Sequence, residues 1–96
     1  MAELKIVASI VAKDNAGSEI LSALHNVADN SRQEMGCISY VVHQDVSDPL
    51  RFTILEIWKS QEAIDTHNNS PHFDAFKKAI DGKIDALEIN ILKEIY

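Results

Sequence analysis

The chain has 96 residues, 46% of them hydrophobic, with a formal net charge of −6 and a single cysteine. That length makes one domain over residues 1–96, and the composition is that of a folded globule rather than a disordered chain. The acidic balance and the lack of a basic patch exclude nucleic acid and anionic membrane surfaces as expected partners, and one cysteine excludes an internal disulfide.

The opening MAELKIVASIV has neither a basic n-region nor a cleavage site, so it reads as a strand and not a signal peptide. No apolar run approaches the ~18 residues of a membrane helix, and a cytoplasmic protein is expected. Residues 3–13 are predicted as the first strand. One face carries Leu4, Ile6, Ala8, Ile10 and Ala12, and the other Lys5, Val7, Ser9, Val11 and Lys13; both faces are partly apolar. Asp14 to Gly17 is a turn. Ile20, Leu24, Val27, Ala28 and Ser31 then recur at helical spacing, predicting a helix over 17–35 with Gly36 as its C′ residue.

Residues 37–46 and 51–59 are predicted as two strands, with Asp48 and Pro49 supplying the hairpin turn. Cys37 opens the first and reads as a buried, inert thiol. In the second, Phe52, Ile54, Glu56 and Trp58 share one face, and Thr53, Leu55, Ile57 and Lys59 the other. Ser60 is placed to cap a short helix over 61–69. Ser70-Pro71 is a second N-cap with Pro at N1, opening a helix over about 71–82 with the stripe Phe73, Phe76 and Ile80. Gly82 is placed to stop it, and Lys77 and Lys78 belong to its solvated side. Residues 86–95 are the last strand, with Leu87, Ile89, Ile91 and Ile95 on one side.

The order β-α-β-β-α-β, with the second α broken in two, predicts an α+β, ferredoxin-like split sandwich: four antiparallel strands with helices on one face. The other face would hold Val7, Val11, Leu55 and Ile57, or else their opposite-face neighbours. Either choice leaves an apolar surface, so sheet-on-sheet pairing into a homodimer is expected.

Several residues carry possible chemistry. His67 follows Ile64 by three and Ala63 by four, so it shares their buried side. It reads as a general base near neutral pH or as a hydrogen-bonded core histidine. Glu56 stands between Ile54 and Trp58 on its strand face. It is expected to orient His67, to hold a raised pKa as an acid or base, or to be bonded to backbone or a helix N-terminus. Trp58 either stacks a planar substrate or fills the core. His72, Phe73 and Phe76 continue that wall, and Tyr40 adds a phenol. His25 and His43 read as surface residues. No HExxH, CxxC or hard-ligand cluster is present, and Pro71 interrupts the helix between His67 and His72, so no metal site is expected. No GxGxxG, P-loop or Gly-x-Ser-x-Gly elbow appears either. An enzyme built on this chain is predicted to need no organic cofactor.

The pattern Glu34-x-Gly36-Cys37-x-x-Tyr40, Asp48-Pro49, Phe52, Glu56-x-Trp58-x-Ser60-x-Glu62-Ala63, His67 and Ser70-x-His72-Phe73-x-x-Phe76 resembles the antibiotic biosynthesis monooxygenase family over nearly the whole chain. The resemblance implies a ferredoxin-like domain that pairs into a dimeric α/β barrel. It is nearest to the quinol monooxygenases, which add O₂ to electron-rich phenols without metal or flavin. It implies catalytic roles for His67, Glu56 and Trp58, and substrate contacts from Tyr40, His72, Phe73 and Phe76. A second branch isomerises a small phosphorylated hydroxyketone of the autoinducer-2 type and shares the His and Glu matched by His67 and Glu56, with Arg51 as the nearest cation for the phosphate. A haem-degrading branch needs an Asn on the first strand, where this chain has Val7-Ala8-Ser9, a Trp where it has His67, and a His near Lys77; haem degradation is not expected. The Asn of the anthrone oxygenases is Ile54 here. The expected function is therefore cofactor-independent oxygenation of a small quinol or polyphenol. The alternatives are the isomerase and a non-catalytic dimer that binds an aromatic metabolite or serves stress tolerance.

Overall fold

Alternating apolar residues set the first strand, β1 (Leu4–Ala12), whose buried positions are Ile6, Ala8, Ile10 and Ala12. The computed structural model describes residues 3–96. Helix α1 (Gly17–Ser31) follows and buries Ile20, Ala23, Leu24, Val27, Ala28 and Ser31. Strands β2 (Cys37–Gln44) and β3 (Arg51–Trp58) form a hairpin, in which Asp48 Oδ1 accepts the Leu50 N–H at 3.0 Å. Helices α2 (Gln61–Asn68) and α3 (Pro71–Ile80) come next, and β4 (Ile84–Lys93) closes the chain. The sheet is antiparallel in the order β2-β3-β1-β4. This is the α+β, ferredoxin-like arrangement that the order of elements predicts. Among the described residues no helix is long and apolar enough to cross a membrane.

The register defines the face under the helices. Tyr40, Glu56, Ile6 and Ile91 stand in one cross-strand row, and Val42, Ile54, Ala8 and Ile89 in the next. Tyr40 reaches this face through an irregularity. Cys37 pairs with Trp58 but Ser39 with Ile57, so Ile38 is an extra residue that reverses the alternation. Cys37 and Tyr40, three apart, therefore share a side.

Three expectations need correction. The first helix ends at Ser31, not 35, and the chain continues in tight i→i+3 turns, with Gln33 N–H bonded to Asn30 O and Glu34 N–H to Ser31 O. Gly36 is consequently no helix C′ residue and has no positive φ. A Cβ there would collide with Ala63 of α2, so the glycine permits close approach of backbone and helix. Gly82, with φ of 75°, is the residue that ends α3 in the left-handed region. Third, β2 stops at Gln44 and β4 runs two residues earlier than predicted, leaving Ile95 outside it. Leu87, Ile89 and Ile91 share one side as predicted, the helix side of the sheet, opposite Ile10, Ala8 and Ile6, and each is nearly half exposed. The helices form one layer on this face, and the edge strand β4 is left largely uncovered by it.

Candidate active site

Three local devices build the site. The turns after α1 place Glu34 beside the entry to β2, where Lys59 N–H bonds Gly36 O. Ser60 caps α2, its Oγ accepting the Ala63 N–H at 3.1 Å, and the bare Gly36 lets that helix settle close. Ser70 joins α2 to α3: its Oγ accepts the Phe73 N–H at 3.2 Å and donates to the His67 carbonyl at 2.7 Å. That clamp fixes His67 at the end of one helix against His72 and Phe73 at the start of the next.

The outcome is a buried imidazole ringed by aromatic groups. His67 is 2% exposed, Trp58 0% and Tyr40 2%. The His67 ring centre lies 4.5 Å from Trp58, 4.9 Å from Phe73 and 5.9 Å from Tyr40. Tyr40 meets Trp58 edge-on at 6.4 Å, and Phe73 stacks on Phe76 at 6.3 Å. Phe76 is buried in the core, while Phe73 and His72 are half-buried and form the outer side. His25 and His43 are exposed, as expected. Cys37 is half-buried rather than fully buried; burial first, then the Glu34 and Glu56 carboxylates, push its thiol up, so it stays protonated and inert.

The partner of His67 is the main departure from expectation. Glu56 does not orient it. Glu56 Oε1 instead accepts the Trp58 indole N–H at 2.8 Å, the natural pairing for residues two apart on one strand face. Glu34 Oε2 takes the role, 2.7 Å from His67 Nδ1 and 2.7 Å from His72 Nε2. His72 is thus tied to a carboxylate on the edge expected to face substrate. Sequence reasoning placed Glu34 in the family pattern without assigning it a task. The donor atoms of Glu34, His67 and His72 all lie within 4.8 Å of one another, a juxtaposition that the spacing of His67 and His72 did not predict.

A carboxylate only accepts, so each imidazole presents an N–H to it: Nδ1–H in His67 and Nε2–H in His72. His67 Nε2 then keeps its lone pair and makes no hydrogen bond among the described residues. Burial lowers the His67 pKa, and the Glu34 hydrogen bond and charge partly oppose this. The ring is therefore neutral at pH 7 and has a free basic nitrogen. Tyr40 is raised, by burial first and then by the Glu56 carboxylate, so its phenol is a donor and not a base.

Glu56 is pushed up to about 7 from 4.5 by burial, against the Trp58 hydrogen bond that favours its charged form. The sign of the consequence follows from proton counting. Between pH 4.5 and about 7 the folded state holds a proton that the unfolded state has lost, so stability falls as pH rises through this window. Glu56→Gln keeps an acceptor for Trp58 and removes the ionisation. Urea unfolding is expected to show the variant gaining on the parent chain from pH 4 to pH 8, by ~1–3 kcal/mol at the upper end. A gap that stays constant with pH would mean Glu56 ionises normally.

A family model described as antibiotic biosynthesis monooxygenase matches residues 4–79. YcnE of Bacillus subtilis, provisionally named a monooxygenase, is 33% identical over 69 residues, covering 72% of this chain and 73% of YcnE. The uncharacterised protein sll1783 of Synechocystis is 30% identical over 89 residues, or 92% of this chain, and the chain spans 60% of that relative's length. The crystal structure of PA3566 from Pseudomonas aeruginosa superposes with a TM-score of 0.95 at 27% identity, covering 100% of this chain and 97% of that one.

Proposed function

Since this chain belongs to the antibiotic biosynthesis monooxygenase family, we propose that it oxidises a small quinol or related polyphenol with O₂, using no cofactor and working as a homodimer. The observation that carries this reading is the Glu34–His67 contact at 2.7 Å. It fixes the imidazole tautomer and leaves Nε2 as a free base within an aromatic cage.

His67 Nε2 removes a phenolic proton, and Glu34 stabilises the imidazolium that forms. The phenolate passes one electron to O₂, and the radical pair combines at a ring carbon bearing hydrogen. The resulting hydroperoxide loses water: its O–O bond breaks, the C–H proton leaves, and a carbonyl remains. One quinol and one O₂ give one hydroxyquinone and one water. The quinol supplies all four electrons, so no outside reductant enters. Trp58, Tyr40, Phe73 and Phe76 enclose the ring and keep water from the intermediate. Because His67 is buried, substrate reaches Nε2 by displacing the half-buried Phe73 or His72. Glu56, beside Tyr40 in the cross-strand row, is the carboxyl group available for a second proton transfer at neutral pH.

The isomerase alternative needs a phosphate site. Arg51 does not serve it: its Nη1 donates to Ser9 Oγ at 3.2 Å, on the sheet face opposite His67.

Glu34 is a positioning residue in this scheme. Glu34→Gln is expected to cut kcat/KM for quinol-dependent oxygen uptake by ~10-fold or more, as a fraction of the ~10²–10⁴ a placed base supplies. It also removes the charge that holds the His67 pKa up, so the acid limb of the pH profile moves to lower pH. A rate loss with an unmoved acid limb would show that Glu34 only supports the fold.

A further inference from the structure

The geometry points to a divalent transition-metal site at Glu34, His67 and His72, where the ion competes with the two imidazole protons that Glu34 now accepts. Two features of the molecule carry this. The first is the donor set. Ligands held ~2.1 Å from one tetrahedral ion lie ~3.4 Å apart, and Glu34 Oε2 stands 2.7 Å from both His67 Nδ1 and His72 Nε2, its two hydrogen-bond partners. Seating one ion requires the His67 and His72 nitrogens, which with Glu34 Oε2 lie within 4.8 Å of one another, to draw together, each neutral ring then carrying its proton on the nitrogen away from the ion. Two imidazoles with one carboxylate suit Zn²⁺, Co²⁺, Ni²⁺, Cu²⁺ or Fe²⁺, whereas Mg²⁺ and Ca²⁺ prefer oxygen alone. The second is access. Glu34 and His72 line a surface hollow shared with Glu62 and Asp65, whose charges raise the local cation concentration.

The elements that meet here explain why no linear motif marks the site. His67 closes α2, His72 opens α3, and Glu34 arrives from the turns after α1.

Coordination has a chemical consequence, which rests on the oxygenase reading above. A metal on His67 Nδ1 takes that nitrogen's lone pair, and the proton it displaces moves to Nε2, so the neutral ring keeps no free lone pair. The loaded protein then lacks its base, so the ion acts as an inhibitor of oxygen uptake and not as its cofactor.

The test is titration of the metal-stripped protein with Co²⁺, without quinol, followed by visible absorption and calorimetry. One Co²⁺ per chain is expected, displaced by Zn²⁺ and unaffected by excess Mg²⁺. His72 is half-buried, so His72→Ala should fold, as far-UV circular dichroism will confirm. It should weaken Co²⁺ binding by at least ~100-fold, since even groups behind the ligands contribute 10- to 100-fold. Glu34→Gln is the second variant and should weaken binding likewise, while His25→Ala/His43→Ala leaves it unchanged. Absent saturable binding, or binding indifferent to His72→Ala and Glu34→Gln, overturns the site. Because no substrate is present, that failure leaves the oxygenase reading to its own assay. Conversely, Co²⁺ bound at these residues in a protein without oxygenase activity would retain the site and discard only the inhibition.

Discussion

His67→Ala is expected to lose quinol-dependent oxygen uptake by ~10²–10⁴-fold, the usual contribution of a positioned proton acceptor. The size follows from isolation: His67 is buried, and no other imidazole faces the aromatic cage from inside. His72 remains bonded to Glu34 on the outer side, and the Tyr40 phenol is held protonated. The substitution opens a void against Trp58 and Phe73, whose rings lie 4.5 Å and 4.9 Å from the imidazole, so some stability is lost as well. Two further measurements separate chemistry from folding. His67→Gln fills most of the space and still offers Glu34 an N–H, yet has no basic nitrogen, so it should be as inactive as the Ala variant and more stable. Added imidazole should enter the Ala void and restore part of the rate. Turnover unchanged in both variants would remove His67 from the mechanism.

Leu55→Asp is expected to convert a dimer into a monomer. The open face of the sheet presents Val41 at 41%, Leu55 at 44% and Leu92 at 47% exposure, with Val7, Val11 and Ile57 half-buried among them. The proposed homodimer would cover this apolar surface of a 96-residue chain with the same face of a second copy. Leu55 sits on the central strand β3, and a two-fold axis would bring two new carboxylates into one dry interface. Central contacts of this kind are worth ~2–4 kcal/mol each, or ~30- to 1,000-fold in dissociation constant. Light scattering coupled to size exclusion should give twice the chain mass for the parent protein and the chain mass for the variant. A monomeric parent, or a variant that still pairs, would contradict the assignment of this face.

The fold was legible because its signals are local. Period-two alternation in residues 4–12 and 51–58, helical spacing in 17–31, and the Ser60 and Ser70 caps each act within a few residues. The faces of β3 were legible for the same reason, and Glu56 and Trp58 were found on one side. Their mutual hydrogen bond was not anticipated, because pattern shows which face a residue shares and not which acceptor an indole selects. Glu34 was hidden more deeply. Its position depends on the helix ending at Ser31, on tight turns through Glu34, and on Gly36 admitting Ala63. None of these has a period. The Glu34–His67–His72 cluster escaped for a related reason: ligand motifs are recognised by spacing along one element, and these donors come from three. The uncovered Leu87, Ile89 and Ile91 were assigned to one side correctly, but how far the helices reach over an edge strand is a property of packing.

Cofactor-free oxygenation of a quinol is tested by oxygen uptake with ¹⁸O₂, using metal-stripped protein and a panel of small hydroquinones. Uptake above autoxidation is expected, with one ¹⁸O in the hydroxyquinone and one in water, and loss of both in His67→Gln. Uptake that never exceeds autoxidation, or product without ¹⁸O, would contradict it.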